Sequence, residues 1–394
     1  MKPVTYFSNL TPLRGIAAIL TIIFHVSLMA GPLAFNTQVI QRMYLMVDFF
    51  FVLSGFIMCH VYGELFSEKV TMSAFKKFTI ARFARVYPLH FVTLLYTIIL
   101  FSVTAKLGIP KVPVLQIENS GFSIFTNLLL LQSMNLHHWF SWVHASWSIS
   151  TEWWAYMVFP FLVVPFSKLS SAGKIAVTLL CFGGYLFITF IIMPIVPFPA
   201  EIPFVKMDPA WLTVNVAYQF GFIRCLCGFV LGMMMYQGFK TDWGKKILAN
   251  GYVFLLAAAG LFLSMHFALP DVVTISFLPF ILLSAAYGSP SINKVLSVKP
   301  LQKIGDWSFS IYLVHQPLLY TIGSITAYFN PVNPNNPSAG PPQAPSLLVA
   351  WAICVGFIAL TLFVSSLTYR FWEVPARKWI NAKSTKREYA VVRS

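Results

Sequence analysis

"LRGIAAILTIIFHVSLM", residues 13–29, decides the class of fold, because an apolar run of membrane-spanning length carries Arg14 near one end and His25 well inside. A charged side chain at the centre of a bilayer costs about 2.5–3.5 kcal/mol even on the lenient insertion scale, so ionisable groups there are retained for function or buried against partners. The two residues are eleven positions apart. At about 100° per residue that returns His25 to within roughly 20° of the face carrying Arg14. Ala18 and Thr21 share this face, so the helix has a stripe of small and polar groups, while Ile16, Ile19, Leu20 and Ile23 point mostly elsewhere.

The rest of the chain has the same character. Of its 394 residues 58% are hydrophobic and only 10% charged, against roughly 25% charged in soluble domains. This composition predicts an all-α, polytopic integral membrane protein. The net charge of +15 comes mostly from Lys and Arg in short connecting loops, which speaks of membrane topology and not of a nucleic-acid partner. Five cysteines (Cys59, Cys181, Cys225, Cys227, Cys354) fall in apolar segments with no CxxC or zinc spacing, so buried inert thiols are expected. The first apolar run lacks a small-residue cleavage site after it and is read as a retained span.

Apolar runs at 12–30, 43–62, 86–106, 147–167, 174–193, 219–237, 250–268, 271–288, 306–328 and 347–369 each suit a crossing of about 20 residues. An eleventh, 122–134, is short. Treating it as a re-entrant or interfacial helix places the basic loops 63–85, 168–174, 240–246 and 294–303 and the tail from Arg370 on one side. That side then holds 20 of the 27 Lys and Arg, against four (Arg42, Lys106, Lys111, Lys206) on the other. The positive-inside rule makes it cytoplasmic. The expectation is therefore about ten spans, both termini inside, with a membrane domain over 1–380 and a short basic cytoplasmic tail over 381–394. Two proline-rich stretches, "MPIVPFPAEIPF" and "FNPVNPNNPSAGPPQAP", read as outer lids or connectors.

Depth follows from a rise of about 1.5 Å per residue. Thr11-Pro12 reads as an N-cap and first-turn pair, putting Arg14 at the cytoplasmic mouth beside a helix N-terminus, a natural place for phosphate. His25 lies about 16 Å further on. Asp48, Glu152 and Arg224 each lie five residues in from the outer end of their own runs. Four ionisable groups at one level argue for mutual pairing around a polar cavity. For Asp48 with Arg224 a purely structural ion pair stands level with a functional one. His25 carries the stronger functional reading, since imidazole accepts and returns a proton near neutrality. In "FTIARFARVYP" Arg82 and Arg85 share one helical face at the inner entrance, beside Tyr87-Pro88, and read as a pocket for a polyanion. Lys76 and Lys77 read as ordinary inside charge.

Other polar residues divide less clearly. His315 in "YLVHQP" reads first as a satisfied core histidine and second as a substrate contact. Ser148 and Ser150, with Trp147, Trp153, Trp154 and Tyr156, read either as an acceptor mouth or as interfacial aromatics. "HHWFSWVH" (137–144) brings three histidines together without an accompanying carboxylate or cysteine, so no metal is expected. Glu373 and Arg377 read as a structural pair or lid contact, and Gly55 as small-residue helix packing.

Six motifs in order then make the chain resemble the acyltransferase-3 family of bacterial inner-membrane O-acyltransferases. They are Arg14 with His25, "VDFFFVLSGF" at 47–56, "RFARVYP" at 82–88, "SWSISTEWWAY" at 146–156, "GDWSFSIYLVHQP" at 305–317 and "YRFWEVPARKW" at 369–379. The resemblance implies transfer of an acyl group, commonly acetyl, from cytoplasmic acyl-CoA to a hydroxyl of an extracytoplasmic glycan or lipid-linked saccharide. It carries the family's essential histidine onto His25 and the coenzyme contacts onto Arg14, Arg82 and Arg85. Trp153 follows Glu152 where relatives often have a second acid. Some relatives append an extracytoplasmic hydrolase-like domain; its lack here implies either direct transfer within the membrane domain or a separate partner protein, and a homo-oligomer stands as a further partner expectation.

On this reading Arg14, Arg82 and Arg85, with Tyr87 beside them, hold the coenzyme phosphates, and the pantetheine arm follows the Ala18–Thr21 stripe to His25. His25 acts as general base or forms an acyl-imidazole, with Asp48 or Glu152 orienting it. Ser148, Ser150, Trp147, Arg224 and His315 are the substrate-side candidates. The rival reading is a secondary transporter or polysaccharide export component, which also uses intramembrane ionisable groups; against it stands the lack of an inverted repeat.

Overall fold

A computed structural model describes residues 7–29, 33, 37–109, 113–196, 212–330 and 345–392. Twelve helices carry the argument: α1 Leu10–Met29, α2 Met46–Tyr62, α3 Met72–Lys106, α4 Gly121–Leu128, α5 Trp147–Ser167 and α6 Ser171–Phe187, then α7 Gly221–Lys240, α8 Gly251–His266, α9 Asp271–Tyr287, α10 Lys299–Phe329, α11 Leu347–Thr368 and α12 Val374–Val392. The fold is all-helical. Among the described residues seven helices are long and apolar enough to cross a membrane, or eight if the bent pair of α9 with Pro290–Leu296 counts as one span. The other members of the expected ten are of different kinds. Helix α8 has 16 residues, α9 meets Pro290–Leu296 at 95°, and α10 has 31 residues but carries Ser308, Ser310, His315 and Gln316 buried along it. Polar groups that face neighbouring helices lower the hydropathy of a segment without exposing it to lipid.

Helix boundaries differ from the expected ones where polar residues continue a helix beyond its apolar run. Helix α3 starts at Met72, with the Thr71 hydroxyl accepting from the Ala74 amide. Its 35 residues span about 52 Å, so Arg82 and Arg85 lie within a continuous helix and not at the end of a loop. Helix α1 begins at Leu10, which moves Thr11 from cap to first turn and leaves Pro12 where no amide donor is needed. The 122–134 region forms the short α4, of 8 residues, too short to cross. Both proline-rich connectors lie largely outside the described residues, as do Lys111 and Lys206.

Two close crossings hold the site. A Cβ on Gly55 of α2 would stand 1.8 Å from the Phe229 carbonyl oxygen of α7, and one on Gly232 would stand 1.8 Å from that of Val52. Gly228 and Gly232 supply the small-xxx-small spacing that permits such backbone approach. On the other side α1 lies against α10, where a Cβ on Gly15 would meet the Gly305 amide at 2.7 Å. Outward-facing Leu179, Leu180, Leu255, Leu256 and Leu348 are exposed; lipid is the solvent such a surface requires.

Candidate active site

A cavity of about 150 Å³ opens between α1, α2, α3, α5 and α10, walled by Arg14, Arg82, Arg85, Glu152, Ser148 and Tyr312 together with Ser54, Phe50 and Phe309. The three arginines read from the sequence as a polyanion pocket thus do converge. They come from two helices, α1 and α3, and each is held differently. Arg82 donates to the Tyr62 hydroxyl at 2.8 Å and its guanidinium lies 4.9 Å from the Tyr62 ring centre. Arg85 is paired with Glu373 and lies over the Phe309 ring at 5.1 Å. Among the described residues Arg14 has no ion pair or hydrogen bond through its side chain, although Arg85, Glu373 and Glu152 are within its electrostatic reach.

Glu152 stands in the wall of this cavity and accepts from Tyr156 at 2.6 Å; the Tyr156 hydroxyl is also 3.2 Å from Ser54 Oγ. One turn outward, Ser148 Oγ lies 2.7 Å from the Tyr312 hydroxyl. The Tyr312 ring packs on His315 with centres 5.9 Å apart. His315 Nε2 in turn is 3.3 Å from His25 Nδ1, which also faces the Thr21 carbonyl at 3.0 Å. Hydrogen-bond distances therefore join Ser148 to Tyr312 and His315 to His25, with ring packing between Tyr312 and His315; His25 itself lies beyond the cavity wall and is half-buried.

The four groups expected at one depth separate into three sets. Arg224 binds Asp48 through Nε at 3.1 Å and Nη2 at 2.6 Å, both side chains at 0% exposure. Tyr185 donates to the same carboxylate at 3.3 Å, and Arg224 Nη1 donates to Asn215 Oδ1 at 3.2 Å and Val216 O at 3.3 Å. Trp147 covers the guanidinium at 5.4 Å. Asp48 consequently does not reach His25, and neither does Glu152; the ring beside His25 is His315. Equal depth says nothing about azimuth, and the helices turn these side chains to different neighbours.

Two other expected contacts fall elsewhere. Tyr87 donates to the Leu128 carbonyl at 3.0 Å and stacks on Phe83, away from the arginine cavity. Ser150 donates to the Leu130 carbonyl at 2.7 Å, so it anchors the chain after α4. Glu373 pairs with Arg85 and accepts from Ser310 at 2.8 Å, in place of the expected Arg377 contact. The visible signal was a lone carboxylate in an apolar run; its partner is 288 positions away. The 137–144 stretch does have a carboxylate: Glu118 meets His137 Nδ1 at 3.2 Å and the His138 amide at 3.0 Å. Among the described residues no three His, Cys, Asp or Glu side chains converge on one point. All five cysteines are free.

Fold and cavity together define a multi-pass membrane protein with a cationic, partly buried cavity. The acyltransferase domain family (acyltransferase 3) matches residues 8–370, and the chain belongs to that family. It is similar to peptidoglycan O-acetyltransferase OatA of Listeria monocytogenes, 23% identical over 95% of this chain and 56% of that one. It is similar also to O-acetyltransferase OatA of Staphylococcus aureus, 24% identical over 95% of this chain and 57% of the other. Acyltransferase MdmB of Streptomyces mycarofaciens is 29% identical over 68% of this chain and 66% of its own length. The chain thus spans little more than half the length of the two O-acetyltransferases. No solved structure matches it.

Proposed function

We propose that this protein is an acyl-CoA-dependent membrane O-acyltransferase of the bacterial cytoplasmic membrane, moving an acetyl group from cytoplasmic acetyl-CoA to a hydroxyl of an extracytoplasmic glycan. The observation that carries this reading is Arg14, a half-buried cation lining the cavity with no ion pair or hydrogen bond among the described residues, beside Arg82 and Arg85. A guanidinium withdrawn from bulk water needs an anion. Phosphates of the donor supply it, held by planar forks that match their oxygens. Arg85 is already paired with Glu373, and Arg82 rests on aromatic faces, so Arg14 is the cation of the three that no ion pair or hydrogen bond holds among the described residues.

In this mechanism the acyl thioester extends from the arginines past Ser148 and Tyr312. His25 takes the proton of the acceptor hydroxyl as its oxygen attacks the thioester carbonyl. The C–S bond then breaks, the imidazolium returns the proton to the departing thiolate, and an ester and free coenzyme remain. The names of the relatives support acetyl as the acyl group and a glycan as the acceptor.

The test measures thiol release from acetyl-CoA by protein purified into lipid nanodiscs, with mass spectrometry of surface polysaccharide from cells with and without the gene. Release that depends on His25, and loss of an acetyl mass in the deletion, are expected. Unchanged polysaccharide, or normal acylation by His25→Ala, overturns the reading.

A further inference from the structure

We infer that His315 is a positioning residue for His25, fixing its imidazole in the tautomer whose Nε2 is free to take the acceptor proton; this rests on the reading of His25 as the base. The geometry that brings the two rings together is laid down in the helix crossing. Helices α1 and α10 touch at Gly15 and Gly305, and His25 and His315 each follow their glycine by ten residues. Two parallel helices in contact at the first pair stay in register, about 15 Å further along, at the second.

Hydrogen-bond chemistry then assigns the protons. The Ile311 carbonyl can only accept, and His315 Nδ1 faces it at 3.3 Å, so Nδ1 carries the hydrogen and Nε2 is a lone pair. The Thr21 carbonyl can likewise only accept, so His25 Nδ1, 3.0 Å away, carries the hydrogen on that ring. Its N–H is shared between the Thr21 oxygen and the His315 Nε2 lone pair at 3.3 Å. No proton conflict arises. His25 Nε2 is left without a partner among the described residues. When it takes a proton, the positive charge spread over the ring meets a lone pair at Nδ1–H. This is the orienting duty a carboxylate performs in a triad, performed here by a neutral imidazole. His315 suits it because it is fully buried and packed against the Tyr312 ring, so its own orientation is constrained.

The test is steady-state thiol release from acetyl-CoA by the full chain in nanodiscs, with de-O-acetylated surface polysaccharide of the producing cells as acceptor. His315→Leu is expected to lower kcat about a hundredfold with KM for acetyl-CoA unchanged within about twofold. His315→Gln, whose amide oxygen supplies an acceptor near the lost lone pair, is expected to recover to within about tenfold of the parent. Adding His315→Leu to His25→Ala should cost nothing further, as for groups that act as one unit. His315→Met gives a second apolar comparison of different shape, and retained elution volume and melting temperature separate misfolding from chemistry. Equal losses in Gln, Leu and Met variants, a loss confined to KM, or full activity in His315→Leu overturns the assignment. A dead His25→Ala beside an active His315→Leu removes only the role of His315, whereas an active His25→Ala removes the base reading itself.

Discussion

Arg224 and Asp48 form a forked ion pair between α7 and α2, two nitrogens on two oxygens, with neither side chain exposed. The pair lies beside the Gly55–Gly232 crossing that joins the same two helices. Its other contacts, to Tyr185, Asn215 and Val216, are all protein groups. The two charges therefore lock α2 to α7 and to the segment leading into α7, and they do so away from the histidines.

Breaking this pair from one side strands a buried charge. Arg224→Met or Asp48→Leu alone should destabilise the protein by about 3–5 kcal/mol, and the two together should recover most of that loss. Thermal melting of the three purified variants in detergent checks this. Equal melting temperatures for single and parent proteins would show that the pair holds nothing.

Arg14→Ala should raise KM for acetyl-CoA about tenfold or more, the worth of a charge-assisted hydrogen bond, with little change in kcat. Arg14→Lys, which keeps charge but loses the planar fork, should fall between. Initial rates of thiol release over a range of donor concentrations decide it. An unaltered KM would return Arg14 to a role in topology.

Glu373 balances Arg85. Glu373→Ala should lower the melting temperature more than Glu373→Ala combined with Arg85→Ala, because only the single variant leaves the guanidinium unpaired. Differential scanning fluorimetry of the parent, both singles and the double gives the coupling directly, and strictly additive shifts would refute it.

Gly232→Val should abolish assembly, since even the first carbon would lie 1.8 Å from backbone that cannot rotate away. Gly108→Val makes the contrast: no atom meets its Cβ within 4 Å, though its φ of +68° adds local strain. The yield of monodisperse protein after detergent extraction should collapse for the first and drop modestly for the second.

Much of the fold was readable in advance. Apolar runs, charge bias and length implied an all-helical membrane bundle, and the three arginines of the cavity were picked out one by one. Span counting was less secure, because α10 carries its polar residues inward and α9 bends sharply. The site was half legible. Arg82 and Arg85 are three residues apart on one helix, so local periodicity sufficed. Sequence reads Glu373 with Arg377, four residues on, as a structural pair or lid contact, and in the structure its partner comes from α3 instead.

Periodicity and hydropathy are properties of a single helix, and they settle which residues share a face and how deep each lies. They put Arg14 and His25 on one stripe, about 16 Å apart along it, and set four ionisable groups at one level. Which face meets which neighbour depends on how helices rotate and cross, and that follows from where glycines let backbones touch. Packing alone therefore gave Glu373 to Arg85 and His25 to His315, and it fixed Asp48 on Arg224 away from the histidines, whereas Glu152 meets Tyr156 within one turn of its own helix.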